Sequence, residues 1–388
     1  MPKRPLYAKI LVLSLALTAC ATNPVTGEKE LQFISQEEEI AQGQQLFPTT
    51  VQMEGGPYQA DPALQAYVEE VGQKLVKVSD RQLPYEFIIL ENLIPNAWTL
   101  PGGKIAVNAG LLAALNSEAE LAAVLSHEIV HAAARHGAQQ SELNSLSNLG
   151  LSTLGIASNI LGLGLAGSLA QNAAGVGSQL INQSYSRADE SEADYYGMKY
   201  MAKAGYAPQA AVELQKTFLK LSEQQNTSWL STFFASHPPS AERLIANEKT
   251  AAQLPSGEWY KERYQQKVAA LKKSLPAYQK SNEGWEALKN NEPKTALSLA
   301  EQALAIQPQE AKFYSLQGLA LLKLGHNQQA LDAFNQAVEK NPYFFVYYLE
   351  RGLLYKALDD KAKAKRDLEA SLKLLPTKTA HEAYQALN

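Results

Sequence analysis

Cysteine is almost absent from this 388-residue chain: Cys20 is the only one, so a disulfide within the chain is excluded. Long apolar runs are also missing from the N-terminus, where residues 10–17 are too short to span a bilayer stably. No basic cluster stands out. The net charge is −4, and the first 19 residues hold Lys3, Arg4 and Lys9 without an acid, so the remainder is more acidic still. That balance argues against nucleic acid as a partner. Residues 143–186 carry no charged side chain at all. Leu149, Leu154, Ile160 and Leu165 alternate there with Gly, Ala, Ser and Asn. The pattern reads as an apolar hairpin covering a cleft or meeting a partner; membrane insertion and plain core are the alternatives.

What is present begins with the leader. A basic start, a short apolar stretch and Leu17-Thr18-Ala19 before Cys20 read as a secretory signal over residues 1–19. Its Leu-x-Ala-Cys ending resembles the bacterial lipoprotein signal. That resemblance implies a lipidated Cys20 as the mature first residue, a periplasmic location and a membrane partner through the anchor. Ala21, not Asp, follows Cys20, which implies the outer membrane. An ordinary cleaved signal and an uncleaved anchor are the alternatives.

Chemistry enters at His127-Glu128-Ile129-Val130-His131. Two histidines four apart share one helical face, so both imidazoles can grip one metal ion. Glu128 is placed to take a proton from water activated by that metal. Asn116-Ser117 are possible N-caps, Glu118 and Glu120 suit the positive end of the helix dipole, and Gly137 reads as the C-terminal stop. The spacing predicts a buried helix, since Ala, Leu and Val dominate it.

A third ligand is required. The pattern with Gly seven and His ten residues after the first histidine is excluded, because Ala134 and Gly137 stand there. His136 lies half a turn from the His127 face and reads as an outer-shell or surface histidine. Downstream, Glu190 and Asp194 share a face: Glu190 can ligate, and Asp194 can accept a hydrogen bond from a ligand imidazole. Glu192 points elsewhere and is the weaker candidate; an acidic solvated face is the plain alternative.

His127-Glu128-x-x-His131 followed by Ser186-Arg187-x-x-Glu190-x-x-x-Asp194-x-x-Gly197 resembles zinc peptidases of the HtpX and CaaX prenyl protease type. Asn23-Pro24-Val25-Thr26-Gly27, the run from Asn96 to Val107, and Ser236-His237-Pro238 with Arg243 resemble further segments of that family. With the repeats described below, the resemblance is to BepA-type periplasmic proteases. It implies one zinc ion at His127, His131 and Glu190, with Glu128 as general base and Asp194 beside the ligands. His237 and Arg243 are candidate donors to the oxyanion of the tetrahedral intermediate. His237 is alternatively a resting ligand at the open zinc position, or simply part of a helix-start turn.

Residues 85–90 are β-rich, and Lys104 to Asn108 form a short alternating strand after the Gly102-Gly103 turn. In the resembled family an edge strand beside the zinc helix pairs with extended substrate. An ordinary sheet strand is the alternative reading. Asn96-Ala97-Trp98 is a candidate cleft lining.

The C-terminal third repeats every 34 residues: Gly284, Gly318 and Gly352; Ala296, Ala330 and Ala364; Pro308, Pro342 and Pro376. This is the tetratricopeptide pattern, in which small residues let paired helices approach and proline ends the second helix. Three repeats fall at 277–310, 311–344 and 345–378, with a capping helix after them. Tyr314, Tyr347, Tyr348 and Tyr355 are candidates for the protein-binding concave surface, with Tyr314 and Tyr348 at packing positions. Residues 251–276 read as an amphipathic connecting helix.

The fold class expected is α+β, mostly α: a gluzincin-type catalytic domain with a small sheet over 20–250, then an all-α repeat array over 277–388. The expected activity is zinc-dependent hydrolysis of peptide bonds. The resemblance implies unfolded or stalled envelope proteins as substrates and outer-membrane assembly machinery as a partner of the repeats. An assembly scaffold or chaperone with secondary or suppressed proteolysis is the rival. If Cys20 carries lipid, palmitate labelling of the full chain disappears in Cys20→Ser; labelling that persists refutes lipidation.

Overall fold

The computed structural model describes residues 20–140, 185–223 and 237–387. The leader and most of the uncharged 143–186 segment therefore lie outside the described residues. No described helix is long and apolar enough to cross a membrane.

The chain opens with a hairpin, β1 (Cys20–Thr22) and β2 (Lys29–Leu31), then α1 (Gln36–Met53) and α2 (Pro62–Val76). Three strands follow: β3 (Glu86–Leu90), β4 (Ala97–Leu100) and β5 (Lys104–Asn108), ordered β3-β5-β4. β5 runs parallel to β3 and antiparallel to β4. Alternate side chains go to opposite faces. Phe87, Ile89, Ala97, Ile105 and Val107 join the main core, while Leu90, Trp98, Leu100 and Ala106 pack against Leu46, Phe47 and Val51 of α1. Both faces are covered, which is why these strands are nearly all apolar.

The topology corrects one expectation. Lys104–Asn108 is the central strand, with its backbone paired on both sides, so it has no edge for a substrate. The outer edge of β3 is capped by α2. The Phe87 amide donates to Glu69, the Ile89 amide donates to Gln65 Oε1, and Gln65 Nε2 donates to the Phe87 carbonyl. Within the three-stranded sheet β4 is the other edge strand, with no strand partner on its outer side among the described residues, and it lies closer to the metal helix than β5 does. Two short strands of similar apolar character cannot be ordered from sequence, because pairing order is a tertiary choice.

After α3 (Ala109–Ala114) comes the metal helix α4 (Glu118–Ala133). Ser117 caps it by accepting from the Glu120 amide. It ends at Ala134, not at Gly137: Arg135 takes a left-handed φ of 66° and stops the helix two residues early. That backbone is held by the buried Arg135 guanidinium, which meets Glu39 at 3.1 Å and Glu30 at 3.2 Å. Asn23 adds a bond to the Ala134 carbonyl. The Asn23-to-Gly27 segment thus fastens the N-terminal hairpin to the end of the metal helix.

Helices α5 (Arg187–Lys203), α6 (Gln209–Glu223) and α7 (Ala241–Gln253) complete the first half. Then α8 (Lys261–Lys289) runs unbroken through Pro276, so residues 261–276 of the connecting segment are one rod with the first repeat helix, while 251–253 end α7 and 254–260 are not helical. Pairs α8/α9 (Pro293–Ile306), α10 (Ala311–Lys323)/α11 (Asn327–Lys340) and α12 (Phe345–Ala357)/α13 (Lys361–Leu374) form the array, closed by α14 (Lys378–Gln385).

The array is pinned to the sheet side of the first half. Gln52 Nε2 donates to the Tyr343 carbonyl at 2.8 Å and its Oε1 accepts from the Phe345 amide at 2.9 Å. Asn341 donates to the Pro57 carbonyl. Gly56, at φ 81°, leaves room for Phe344; a Cβ there would stand 2.4 Å from that ring. Tyr347, a concave-surface candidate in the sequence, is instead buried in this junction and donates to Glu91 at 3.4 Å. Tyr355 is also buried. Their periodic position shows which helix they occupy, not what packs on that helix.

Burial pushes the Glu350 carboxyl in α12 up to about 7, against a hydrogen bond from Ser315 that lowers it. A raised acid favours the folded state in its neutral form, so its stabilising effect is complete below about pH 4.5 and is lost as pH rises through 7. Glu350→Gln keeps the acceptor for Ser315. It is expected to melt a few degrees higher than the parent at pH 8 and equally at pH 4.5, by thermal denaturation.

Candidate metal centre

Two helices build the site. α4 carries His127 and His131, and α5 brings Glu190 and Asp194 beside them. Gly197 permits the approach, since a Cβ there would meet Ser126 Oγ at 3.2 Å and the His127 amide at 3.3 Å. Ser186 and Asp189 form a reciprocal cap that starts α5 so that Glu190 falls in its first turn.

His127 Nε2 lies 3.0 Å from His131 Nε2 and 3.3 Å from His237 Nδ1. Glu190 Oε1 is 3.0 Å from His237 Nδ1 and 3.3 Å from His131 Nε2. A tetrahedral zinc with bonds near 2.0–2.1 Å separates its ligands by about 3.3 Å. Among the described residues His127, His131, Glu190 and His237 are a set able to hold a metal. Four ligand atoms at this spacing match the edges of a tetrahedral site, so the residues fit the ion.

The electrostatics agree. Burial alone would lower the His127 pKa, but Glu190 and Asp194 outweigh it and push it up to about 10. The two carboxylates thus favour positive charge at His127, whether carried by a proton or by a bound cation. Burial drives His131 well below its usual value, leaving it neutral and ready to ligate. Burial opposes ionisation of Glu190, yet His237 and His127 hold it well below the carboxylate range.

Around the ligands, His127 Nδ1 meets Asp194 at 3.1 Å. Arg243 and Asn247 both donate to Asp194. Arg243, a candidate oxyanion donor in the sequence, is corrected here. Its Nε and Nη2 bind Asp194, and its Nη1 meets Glu190 at 2.7 Å and the Pro238 carbonyl at 3.0 Å. Its nitrogens are thus engaged in positioning the carboxylates, although its side chain also lines the cleft. Glu128 is buried, with Oε2 unpartnered and Oε1 3.5 Å from His237 Nε2. Burial raises its pKa. Tyr185 stacks on His131 at 3.9 Å between centroids, a contact with no signal in the spacing. Val124, Met198, Met201, Leu214 and Phe218 line an apolar cleft beside His127 and Glu128.

Residues 62–251 match the profile described as Peptidase family M48, and 311–344 and 346–377 match tetratricopeptide repeat profiles. The chain carries an M48 peptidase domain. M48 peptidases are zinc enzymes, and the cluster is a set able to hold that ion. The beta-barrel assembly-enhancing protease of Yersinia pestis is 30% identical over 231 residues, 57% of this chain and 45% of that protein. Mitochondrial metalloendopeptidase OMA1 of Schizosaccharomyces pombe is 35% identical over 179 residues, 46% of this chain and 50% of that one. The chain thus spans half or less of the length of these relatives. Among solved structures, the Arabidopsis OM64 TPR domain is 25% identical, covering 30% of this chain and 97% of that one at a TM-score of 0.29.

Chelating the zinc leaves the inward-facing donors of the M48 site without their ion, and ligand linkage then lowers stability. EDTA is expected to lower the melting temperature of the full chain by several degrees, with recovery on one equivalent of zinc. An unchanged melt refutes a tightly held ion.

Proposed function

We propose that this chain is a zinc endopeptidase of the bacterial cell envelope that cleaves unfolded or misassembled envelope proteins, with Glu128 as general base. The carrying observation is the convergence of His127, His131 and Glu190 with a buried Glu128 carboxylate beside them. When bound, zinc polarises the scissile carbonyl and acidifies water. Glu128 takes the water proton and returns it to the leaving amine; a pKa raised by burial suits that exchange. Asp194 holds His127 through Nδ1, and Arg243 holds Asp194 and Glu190.

The substrate class is supported by three features. The cleft is apolar, as chains exposing core residues require. β4 is a buried edge strand beside the metal helix, and an extended substrate paired there once its cover moves would be read by backbone rather than sequence. The repeats offer a protein-binding surface pinned by Gln52 and Asn341. Periplasmic location, attachment through lipidated Cys20 and contact with outer-membrane assembly machinery complete this reading. The relatives named for beta-barrel assembly support it.

His237 favours a second reading. Its Nδ1 lies 3.3 Å from His127 Nε2 and its Nε2 faces Glu128, so with zinc bound it would serve as a fourth ligand, suppress proteolysis at rest and leave the repeats to act as a scaffold until it moves.

Glu128→Gln is expected to retain one zinc and to lose peptide hydrolysis by about 10²–10⁴-fold. Normal turnover sinks the assignment. His237→Ala is expected to raise basal hydrolysis of an unfolded substrate; a fall instead assigns His237 to the oxyanion.

A further inference from the structure

His136 has no role in the mechanism above, yet it is 3% exposed and faces a metal ligand. On a continuing helix it would sit about 140° round from His131, out of reach. The left-handed Arg135 ends α4 and folds the chain back, so His136 Nδ1 comes 2.8 Å from His131 Nδ1. Its other nitrogen, Nε2, lies 3.2 Å from Glu192 Oε1 on α5, with Asp189 further off at 3.9 Å.

The tautomers follow from donor counting. His131 Nε2 points into the ligand cluster, and a nitrogen that ligates a metal carries no proton. The His131 proton is therefore on Nδ1, which donates to His136 Nδ1. An accepting Nδ1 leaves the His136 proton on Nε2, where Glu192 accepts it. Every link has one direction, and the chain ends on a carboxylate that is 26% exposed. His127 reaches its own carboxylate directly, through Asp194 at 3.1 Å. The two zinc histidines are thus oriented by arms of different length, both ending on α5.

We infer that His136 and Glu192 are positioning residues for the zinc site: His136 fixes the tautomer and ring plane of His131, and Glu192 fixes His136. The inference rests on the M48 zinc reading. It explains why Glu192, the weaker ligand candidate, points away from the metal. It also explains the Arg135 strain, since a left-handed residue there is what returns His136 to the site.

The test is zinc affinity of the full chain by competition with a chromogenic chelator. Loss of an outer hydrogen-bond partner of a ligand histidine costs about 10–100-fold in metal affinity. His136→Phe is expected to weaken zinc by that factor, and His136→Gln, which can both accept and donate, to restore most of it. Glu192→Gln, on a partly exposed side chain that folding tolerates, is expected to weaken zinc in the parent and to have no further effect in His136→Phe. Nitrogen NMR of the zinc-loaded parent is expected to show the His131 proton on Nδ1. Parental affinity in His136→Phe, or a full Glu192→Gln effect in that background, overturns the relay. Failure of the zinc reading looks different: the parent then binds no stoichiometric zinc and His127→Ala changes nothing.

Discussion

Three imidazoles and one carboxylate converge within 3.0–3.6 Å in a geometry that suits a bound cation, and the first half of the chain is arranged to keep them there. Burial raises the electrostatic stakes: an unpaired charge in this interior costs several kcal/mol. Each ligand is consequently tied outward. Asp194 receives His127, Arg243 and Asn247, while Arg243 also reaches Glu190. The helix contact that brings α5 to α4 depends on Gly197, so the metal geometry and the packing of two helices are one constraint.

The same economy of contacts links the site to distant segments. Glu39 of α1 binds Arg81 and Arg135 together, and Arg135 ends the metal helix where His136 turns back. The N-terminal hairpin reaches this point through Glu30 and Asn23. A segment next to Cys20 is therefore mechanically continuous with the metal helix. On the other side of the sheet, Gln52, Asn341 and Tyr347 join the repeats to the strands that precede that helix.

The junction also concentrates buried acids. Burial holds Glu91 and Glu310 above the usual carboxylate range where they share a hydrogen bond, and Tyr278 and Tyr347 add donors. A charged pair at that spacing would repel, so a shared proton is the arrangement compatible with close docking. The repeats are fixed to the sheet side of the first half by these contacts, not by a flexible tether.

Much of this was legible in the sequence because it follows from local periodicity. A spacing of four places His127 with His131 and Glu190 with Asp194, and a 34-residue step places Gly284, Gly318 and Gly352 at helix contacts. These need only the helix period and side-chain chemistry. What the tertiary structure alone decided depends on which elements meet. It made β4, not Lys104–Asn108, an edge of the three-stranded sheet. It buried Tyr347 against Glu91 and turned Arg243 onto Asp194. It also ended the metal helix at Arg135 and brought His136 under His131. Strand order, domain docking and a left-handed residue are set by long-range packing and buried ion pairs, which leave no period in the sequence to read.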